Sequence, residues 1–466
     1  MTRLIQLVDL SLYFSNKICF EAFTHNIHFG DRIALIGDNG SGKSSMLKII
    51  NKLMPPSDGS VFYSNNPSVA YVPQLIIDSN ISGAERFNQA LTSALSKSPD
   101  VLLLDEPTNH LDAKNRYSLM RLLEQYSGTL IIASHDVQLL RQNEYCFWQF
   151  HQNKITVFQG QFAHLQQQNT KNRQTIELEI SQLRQQKKQN HQALMQEQHR
   201  AKKSRLKGEK SLHQAKWPTI VSKSKVLRAQ ETSGKKKKAL TENKEQLLNR
   251  LKELSVEEDI TPHFELKGSI NSSKALVTIR GGSITYNTNP ILENINLNIT
   301  STSRIALIGL NGSGKSTLAK GIMNDNNMVR EGFWLTPARK DIGYLDQHYQ
   351  QLIEHDTVLE TLQKSRPDWN HLELRKHLND FLFRNNGEVN SRVSMLSGGE
   401  KARLSLAQIA ANPPKLLILD EITNNLDLKT RAHVITLLNK YPAPFIVISH
   451  DSDFLEHIGI NEYYNT

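Results

Sequence analysis

The chain has 466 residues, of which 38% are hydrophobic and 22% are charged, a composition typical of a globular protein with two or three domains. No apolar run approaches the roughly 18–20 residues that a membrane-spanning helix needs, and the N-terminal residues show no cleavable-leader pattern, so we expect no membrane domain and a cytoplasmic location. The net charge of +10 and the two cysteines exclude an acidic protein and a disulfide framework.

The first element along the chain with clear chemistry is a phosphate-binding loop at residues 33–45, IALIGDNGSGKSS. It follows an apolar run and precedes a helical pattern, which is the context that this loop needs to cradle phosphates with its N–H groups. Lys43 is predicted to reach the β- and γ-phosphates, and Ser44 to hold Mg²⁺. The predicted nucleotide-binding residues here are Gly37, Asp38, Asn39, Gly40, Ser41, Gly42, Lys43, Ser44 and Ser45.

Two acidic residues and a histidine follow buried strands further along. Asp105 and Glu106 end the apolar run VLLL, a pattern typical of a buried parallel strand. The aspartate is predicted to lie on the Mg²⁺ side, and the glutamate to orient and polarise the attacking water. His135 follows a second apolar strand and is predicted to bridge to the γ-phosphate. The pattern therefore predicts Mg²⁺-dependent ATP hydrolysis.

The next segment, residues 163–265, is the linker, and it carries the basic charge. Between residues 171 and 240, 19 lysines and arginines face 5 acidic residues. Apolar residues at helical spacing and the single Pro218 predict an antiparallel helical hairpin that turns at residues 216–218. A disordered linker is the alternative. A basic patch of this size predicts a nucleic-acid or other anionic partner.

The chain then repeats its own motifs in the same order. The second copy contains IALIGLNGSGKST at 305–317, LLILDEITNNLD at 416–427 and IVISHD at 446–451. Asp420, Glu421 and His450 are therefore predicted to act like their counterparts, with Ser316 and Asp420 on the Mg²⁺ side. The second set of nucleotide-binding residues is Gly309, Leu310, Asn311, Gly312, Ser313, Gly314, Lys315, Ser316 and Thr317.

The repeat predicts two homologous α/β domains, the first copy at 1–162 and the second copy at 275–466, on either side of the linker. One spacing differs between them. Eight residues separate Gln74 from Ser82, whereas fifty separate Gln347 from Ser397. The first copy therefore lacks about 42 residues at this place.

These paired motifs resemble the ATP-binding-cassette superfamily. The arrangement of two copies in one chain, a long basic linker and DEPTNHLD at 105–112 resembles the ABC-F family. The resemblance covers nearly the whole chain and implies two P-loop ATP-binding-cassette domains joined by a long helical-hairpin linker. It also implies that ATP is sandwiched between the two copies of one monomer, so that the Lys43 site uses Ser397 and the Lys315 site uses Ser82.

The resemblance assigns further residues by position. Gln74 and Gln347 match the Q-loops, which contact Mg²⁺ and the attacking water, and Asp112 and Asp427 match the D-loops. Phe14 and Tyr286 sit where an aromatic residue stacks on adenine. The signature motif, which clamps the γ-phosphate of the opposite copy, is matched by Ser397, Gly398, Gly399 and Glu400, and less well by Ser82 and Gly83.

Two departures from the family pattern predict unequal sites. The helical subdomain that normally lies between the Q-loop and the signature motif is nearly absent from the first copy. Ala84 also replaces a glycine where the backbone approaches a phosphate. We therefore expect an intact first site, at Lys43, and an impaired second site, at Lys315.

ABC-F proteins act on the ribosome, so the resemblance implies rRNA and tRNA near the exit-tRNA site as partners, in translation or in antibiotic resistance. Trp217 at the hairpin tip is expected to stack on a base. A DNA-associated ATPase, the ATPase subunit of a transporter and a scaffold with decayed nucleotide sites are the alternatives. The basic linker alone does not distinguish RNA from DNA.

Overall fold

The computed structural model describes residues 2–14, 17–74, 83–109, 111–142, 144–213, 238–239, 241–250, 260, 262–264, 275–286, 289–325, 328–346 and 349–466. The chain divides into two compact units. One contains both copies, residues 1–162 and 259–466, and the other contains the linker residues 163–258. Among the described residues, no helix combines the length and the apolar character that crossing a membrane requires.

The first copy is built on two sheets. Some of its strands are buried at every position, and others are buried at only part of their positions. Its strands are β1 (Arg3–Phe14), β2 (Lys17–His28), β3 (Arg32–Gly37), β4 (Asp58–Tyr63), β5 (Val69–Val72), β6 (Val101–Asp105), β7 (Thr129–Ala133), β8 (Tyr145–His151) and β9 (Lys154–Gly160). The larger sheet has the order β5-β6-β7-β3-β8-β9, and all neighbours are parallel except β8 and β9. Strands β6 and β7 are buried at every position, as a parallel sheet covered on both faces requires.

Helices and an antiparallel sheet cover the larger sheet. The antiparallel sheet has the order β2-β1-β4. The helices of the first copy are α1 (Lys43–Ile50), α2 (Gly83–Leu95), α3 (Ala113–Gln125) and α4 (Val137–Gln142). The core between the two sheets is centred on fully buried Trp148, which makes an edge contact with Phe23.

The described residues of the linker unit are helical. Helix α5 (Phe162–His213) has 52 residues, and residues 241–250 form α6. Arg250 at the end of α6 donates to Glu179 near the start of α5 at 3.0 Å, a pairing that an antiparallel hairpin allows. Leu247 is buried. The predicted turn at residues 216–218 and Trp217 lie outside the described residues.

The second copy repeats this plan. Its strands are β10 (Val277–Tyr286), β11 (Asn289–Ile299), β12 (Arg304–Ile308), β13 (Val329–Leu335), β14 (Ile342–Asp346), β15 (Leu416–Asp420), β16 (Phe445–Ile448) and β17 (Glu462–Asn465). They form a parallel sheet β14-β15-β16-β12-β17 and an antiparallel sheet β11-β10-β13. The predicted α/β class with two P-loop domains and a long helical linker is thereby confirmed.

The helices of the second copy include a subdomain with no counterpart in the first. They are α7 (Lys315–Ile322), α8 (Val358–Ser365), α9 (His371–Asp380), α10 (Asn386–Asn390), α11 (Gly398–Ala411), α12 (Leu428–Lys440) and α13 (Ser452–His457), with 3-10 turns at Arg339–Asp341, Val393–Met395 and Ile422–Asn425. Helices α8 and α9 pack against α11, which begins at the signature motif. In the first copy α2 begins at Gly83, soon after β5 ends, and packs on β5. The two helices that begin at the signature motifs, α2 and α11, therefore pack against different elements.

Candidate nucleotide-binding sites

Each phosphate-binding loop joins a buried strand to a short helix. The residue before each helix is a glycine in the left-handed region, with φ of 103° at Gly42 and 95° at Gly314. A side chain at these positions would be strained, so glycine lets the loop turn its N–H groups towards one point. The N-termini of α1 and α7 add a favourable dipole for an anion there.

A buried lysine begins each of these helices. Lys43 and Lys315 have only 7% and 4% of their surface exposed. The ammonium group of Lys43 donates to the carbonyl oxygens of Gly37 and Asp38 at 2.7 and 3.0 Å. The ammonium group of Lys315 makes the matching pair of contacts at 3.1 and 2.8 Å. Burial lowers the pKa of both lysines, so an anion that neutralises them would be stabilised in the loop.

A serine and an aspartate meet beside each lysine. Ser44 Oγ donates to Asp105 Oδ1 and Ser316 Oγ donates to Asp420 Oδ1, both at 3.0 Å. Hydroxyl and carboxylate oxygens are hard donors that suit Mg²⁺. Among the described residues, no group of three or more histidine, cysteine or acidic side chains could hold a metal ion by itself. Two oxygens per site fit a Mg²⁺ that takes its other ligands from phosphates and water.

The glutamate next to each aspartate has a strained backbone. Glu106 has a φ of 48° and Glu421 a φ of 49°, in the left-handed region that such a side chain rarely adopts. Strain of this kind persists where the surrounding structure over-determines it, typically at functional sites. The strained conformation occurs at the same position in both copies, and it sets the direction in which each glutamate side chain leaves the backbone.

The histidines differ between the sites. His135 Nε2 lies 3.4 Å from Glu106 Oε1, and neither ring nitrogen has a hydrogen-bond partner among the described residues. In the second copy, His450 Nε2 contacts Asn311 Oδ1 at 3.2 Å, and Glu421 accepts instead from Asn424 at 3.1 Å. The ring of His135 lines the first cavity.

Burial shifts the pKa values at both sites in the direction of neutral side chains. It raises the pKa of Glu106 to about 8, with Lys43 opposing the shift, and it raises the pKa of Glu421. It holds the pKa of His135 well below its ordinary value and, with Lys315, lowers that of His450 to about 4. Perturbed groups that share a cleft are typical of functional sites.

Each copy supplies an aspartate that accepts a hydrogen bond from the phosphate-binding loop of the other copy. The backbone N–H of Asn39 donates to Asp427 Oδ2 of the second copy at 3.0 Å, and that of Asn311 approaches Asp112 Oδ2 of the first at 3.5 Å. Each aspartate also caps its own helix, since Asp427 accepts from Thr430 N and Asp112 accepts from Asn115 N. The D-loop residues therefore link the copies head to tail.

The first site is a cavity of about 450 Å³ that draws on both copies. Phe14 lines it with half of its surface exposed. Gly398 and Asn424 reach it from the second copy. The other described residues that line it are Cys19, Asn39, Gly40, Gly42, Lys43, Ser44, Ser45, Gln74, Glu106, Asn109 and His135.

The second site is a cavity of about 560 Å³. The first copy contributes Gly83, Ala84 and Arg86 from α2. The described residues from the second copy that line it are Ile291, Asn311, Gly312, Gly314, Lys315, Ser316, Thr317 and Glu421. Ile291 occupies the place of Cys19 in the repeat, and Tyr286 at the end of β10 is not among these lining residues.

The signature residues of the second copy lie at the start of α11. Ser397 and Glu400 form a capping box at the start of α11, with the serine hydroxyl 2.6 Å from Glu400 Oε2. A Cβ added at Gly399 would lie 3.0 Å from Thr430 Oγ1, so close packing favours glycine there. Ser82 and Gln347 lie outside the described residues.

The remaining predicted loop residues shape the two loops. Asp38 and Leu310 supply carbonyl oxygens to the lysines, as described above. Ser41 Oγ is buried without a hydrogen-bond partner among the described residues, and Ser313 Oγ lies 2.7 Å from Thr466 Oγ1. A Cβ at Gly309 would meet Ser313 Oγ at 2.7 Å.

Sequence reasoning missed several side chains at the sites. Asn109 and Asn424 line the first cavity, Arg86 lines the second, and Tyr71 and Tyr344 contact the two aspartates. Asn109 with Asn424, and Tyr71 with Tyr344, occupy equivalent positions of the repeat. Identity at equivalent positions of the repeat was the signal that could have found these two pairs.

Comparisons with known proteins give a consistent result. A family model described as "ABC transporter" matches residues 20–75 and 292–424, and a model of an AAA domain matches residues 82–141. The ATP-binding protein Uup of Buchnera aphidicola is 28% identical over 97% of this chain and 79% of its own length.

Two further relatives cover nearly the same span. The ribosome protection protein VmlR of Bacillus subtilis is 26% identical over 98% of this chain and 85% of its own length. The erythromycin resistance ATP-binding protein MsrA of Staphylococcus epidermidis is 29% identical over 92% of this chain and 91% of its own length. Each match spans both copies and the linker between them.

Proposed function

Because the chain belongs to the ABC-F family of ATP-binding-cassette proteins, we propose that it binds two Mg²⁺–ATP between its copies, hydrolyses ATP, and acts on the ribosome through its basic linker. One observation carries the ribosomal part. The segment inserted between the two copies contains a 52-residue helix, about 78 Å long, in the most basic stretch of the chain. An ATPase needs no such element for its chemistry. Its length and charge suit a partner covered with phosphates.

The proposed mechanism begins with phosphate binding at the first site. Lys43 exchanges its loop carbonyl contacts for the β- and γ-phosphates, and the N–H groups of the loop surround them. Ser44 and Asp105 would hold Mg²⁺, which supplies neutralising charge to the phosphate oxygens. Phe14 offers a surface for the adenine ring.

Hydrolysis then depends on the orientation of water. Glu106 points into the cavity from its strained backbone and accepts a proton from water, which requires its carboxylate form. The cation of Lys43 already opposes the effect of burial on the pKa of this glutamate. His135, which lines the same cavity beside Glu106, contacts the γ-phosphate. Gly398 from the opposite copy closes the cavity and helps to exclude bulk water.

The ribosomal proposal is tested by co-sedimentation of the Glu106→Gln/Glu421→Gln variant with 70S ribosomes. Loss of both carboxylates leaves the phosphate-binding loops intact, so the variant is expected to hold ATP and remain bound. We expect ATP-dependent pelleting with ribosomes at low salt. The matched control is Lys43→Ala/Lys315→Ala, which should bind neither ATP nor ribosomes.

The contrary result would be a variant that binds ATP, as measured by a fluorescent analogue, yet stays in the supernatant with ATP at low salt. Duplex DNA should be included as a competitor in the same experiment. Retention by DNA without retention by ribosomes would favour the DNA-associated alternative.

The head-to-tail contacts predict unequal effects of two D-loop substitutions. Asp427→Asn removes the charge that the N–H of Asn39 contacts at 3.0 Å, while asparagine remains a good helix cap. A charge-assisted hydrogen bond contributes about 1.5–3 kcal/mol, so we expect the ATPase rate to fall roughly tenfold or more. Asp112→Asn, whose contact is 3.5 Å long, is expected to cost about twofold. Steady-state ATPase assays with thermal melts check both, and equal losses would contradict the head-to-tail interpretation.

A further inference from the structure

The same hydrogen bond is formed twice, once in each copy, by a tyrosine that no recognised motif includes. Tyr71 OH donates to Asp105 Oδ2 at 3.1 Å, and Tyr344 OH donates to Asp420 Oδ2 at 2.7 Å. The other oxygen of each carboxylate accepts from the loop serine at 3.0 Å. Both oxygens of each aspartate are therefore held before any nucleotide arrives.

Strand register explains why a tyrosine can do this. Tyr71 on β5 lies opposite Leu103, two residues before Asp105 on β6. Tyr344 on β14 lies opposite Ile418, two residues before Asp420 on β15. A side chain two positions away along a neighbouring parallel strand is within reach of a long aromatic residue. The register is thus the same in both copies, although the chain between the strands differs in length.

The chemistry of the pair fixes the direction of the hydrogen bond. A carboxylate oxygen can only accept, whereas the phenol hydroxyl carries a proton, so each tyrosine donates to its aspartate. A donated hydrogen bond stabilises the negative charge of a buried carboxylate, and Asp105 and Asp420 are both buried.

We propose that Tyr71 and Tyr344 are positioning residues, which hold Asp105 and Asp420 so that one carboxylate oxygen of each faces the loop serine and a Mg²⁺ between them. The proposal rests on the proposed function, since Mg²⁺–ATP must be the ligand. A tyrosine that fixes Oδ2 prevents the carboxylate from rotating away from the metal side. Preorganisation of a ligand by an outer hydrogen bond is a general device at metal sites.

The test is Tyr→Phe, which removes only the hydroxyl. Tyr71→Phe is made in a Lys315→Ala background and Tyr344→Phe in a Lys43→Ala background, so that each binding signal reports one site. The readout is the Mg²⁺ concentration that half-saturates binding of a fluorescent ATP analogue, with binding in EDTA as the baseline. We expect the half-saturating Mg²⁺ concentration to rise about tenfold, as loss of a hydrogen bond to a charged group predicts, with the EDTA baseline unchanged.

The repeat also supplies matched controls. Tyr126 and Tyr441 occupy equivalent positions, and their hydroxyls donate to the carbonyl oxygens of Pro99 and Pro414 at 2.5 and 2.8 Å. Tyr126→Phe and Tyr441→Phe remove a comparable hydroxyl away from the aspartates. They are expected to lower the melting temperature as much as the test variants do and to leave the Mg²⁺ dependence unchanged.

The outcomes separate this inference from the proposed function. A Mg²⁺ shift in Tyr71→Phe or Tyr344→Phe no larger than in its control would overturn the positioning role. A wild-type protein whose nucleotide binding is insensitive to Mg²⁺ would contradict it as well. Neither measurement contains ribosomes, so a protein that fails to bind ribosomes but shows the Mg²⁺ shift would contradict only the ribosomal proposal. If one variant does not fold, its counterpart in the other copy still decides the question.

Discussion

Replacing Glu106 by glutamine is expected to lower the ATPase rate at least about a hundredfold, whereas Glu421→Gln is expected to lower it no more than about threefold. Loss of a general base typically costs two to four orders of magnitude. The difference between the two variants measures how unequal the sites are. It follows from their geometry, because only at the first site does the glutamate face a histidine ring within 3.4 Å.

Three features of the second site support the smaller effect. His450 is turned to Asn311, and Glu421 is held by Asn424, so the glutamate–histidine contact of the first site is replaced. Ala84, the counterpart of Gly399 in the repeat, lines the second cavity, and its Cβ restricts the approach of a phosphate. Helix α2 packs on the edge strand β5, whereas α11 is supported by α8 and α9.

The measurement is the turnover rate at saturating ATP, with nucleotide affinity determined separately for each variant. Glu360→Gln is the matched control, since Glu360 is exposed, lines neither cavity, and becomes an amide that can still accept the capping hydrogen bonds from Thr357. Its rate should equal that of the wild type. If Glu421→Gln lost as much activity as Glu106→Gln, ATP hydrolysis would depend equally on both sites, and the interpretation of unequal sites would be wrong.

The site residues that belong to short, local sequence motifs could be predicted from the sequence. The phosphate-binding loops, the acidic pairs and the histidines each follow a buried strand, and a buried strand is recognisable from its apolar run. Because the motifs occur twice, each prediction made for a residue of the first copy was also made for its counterpart in the second. The α/β class and the long helical linker followed from the same patterns.

Contacts that depend on register or on the pairing of copies were not predictable. No local pattern reveals that Tyr71 reaches Asp105 across two strands, because the register of parallel strands is set by distant parts of the chain. The hydrogen bond from Asn39 to Asp427 likewise exists only after the two copies meet. Tyr286 was expected at the adenine position of the second site, but it is not among the residues that line that cavity, whereas its counterpart Phe14 lines the first.

Neutralising the linker is expected to have the largest effect on ribosome binding under the proposed function. Lys187, Lys188, Lys202 and Lys203 are exposed on α5, and the two pairs lie about four turns apart on roughly the same side of the helix. With all four changed to glutamine, the slope of log affinity against log salt should become shallower by about 3, since each phosphate contact contributes roughly 0.7–0.9. We expect affinity at 50 mM salt to fall about a hundredfold, and the ribosome-free ATPase rate to stay unchanged.

The control for this prediction carries the same change in net charge elsewhere. Lys320, Lys364, Lys415 and Lys440 are exposed on the second copy, and their replacement by glutamine removes four charges without altering the linker. If affinity follows net charge alone, both quadruple variants will lose the same slope, and the linker will have no special role. If only the linker variant changes the slope, its helices make the phosphate contacts. An ATP-dependent, salt-dependent complex that neither variant weakens would place the ribosome-binding surface away from both sets of lysines. The reason is that the slope of log affinity against log salt reports the charges that contact phosphates.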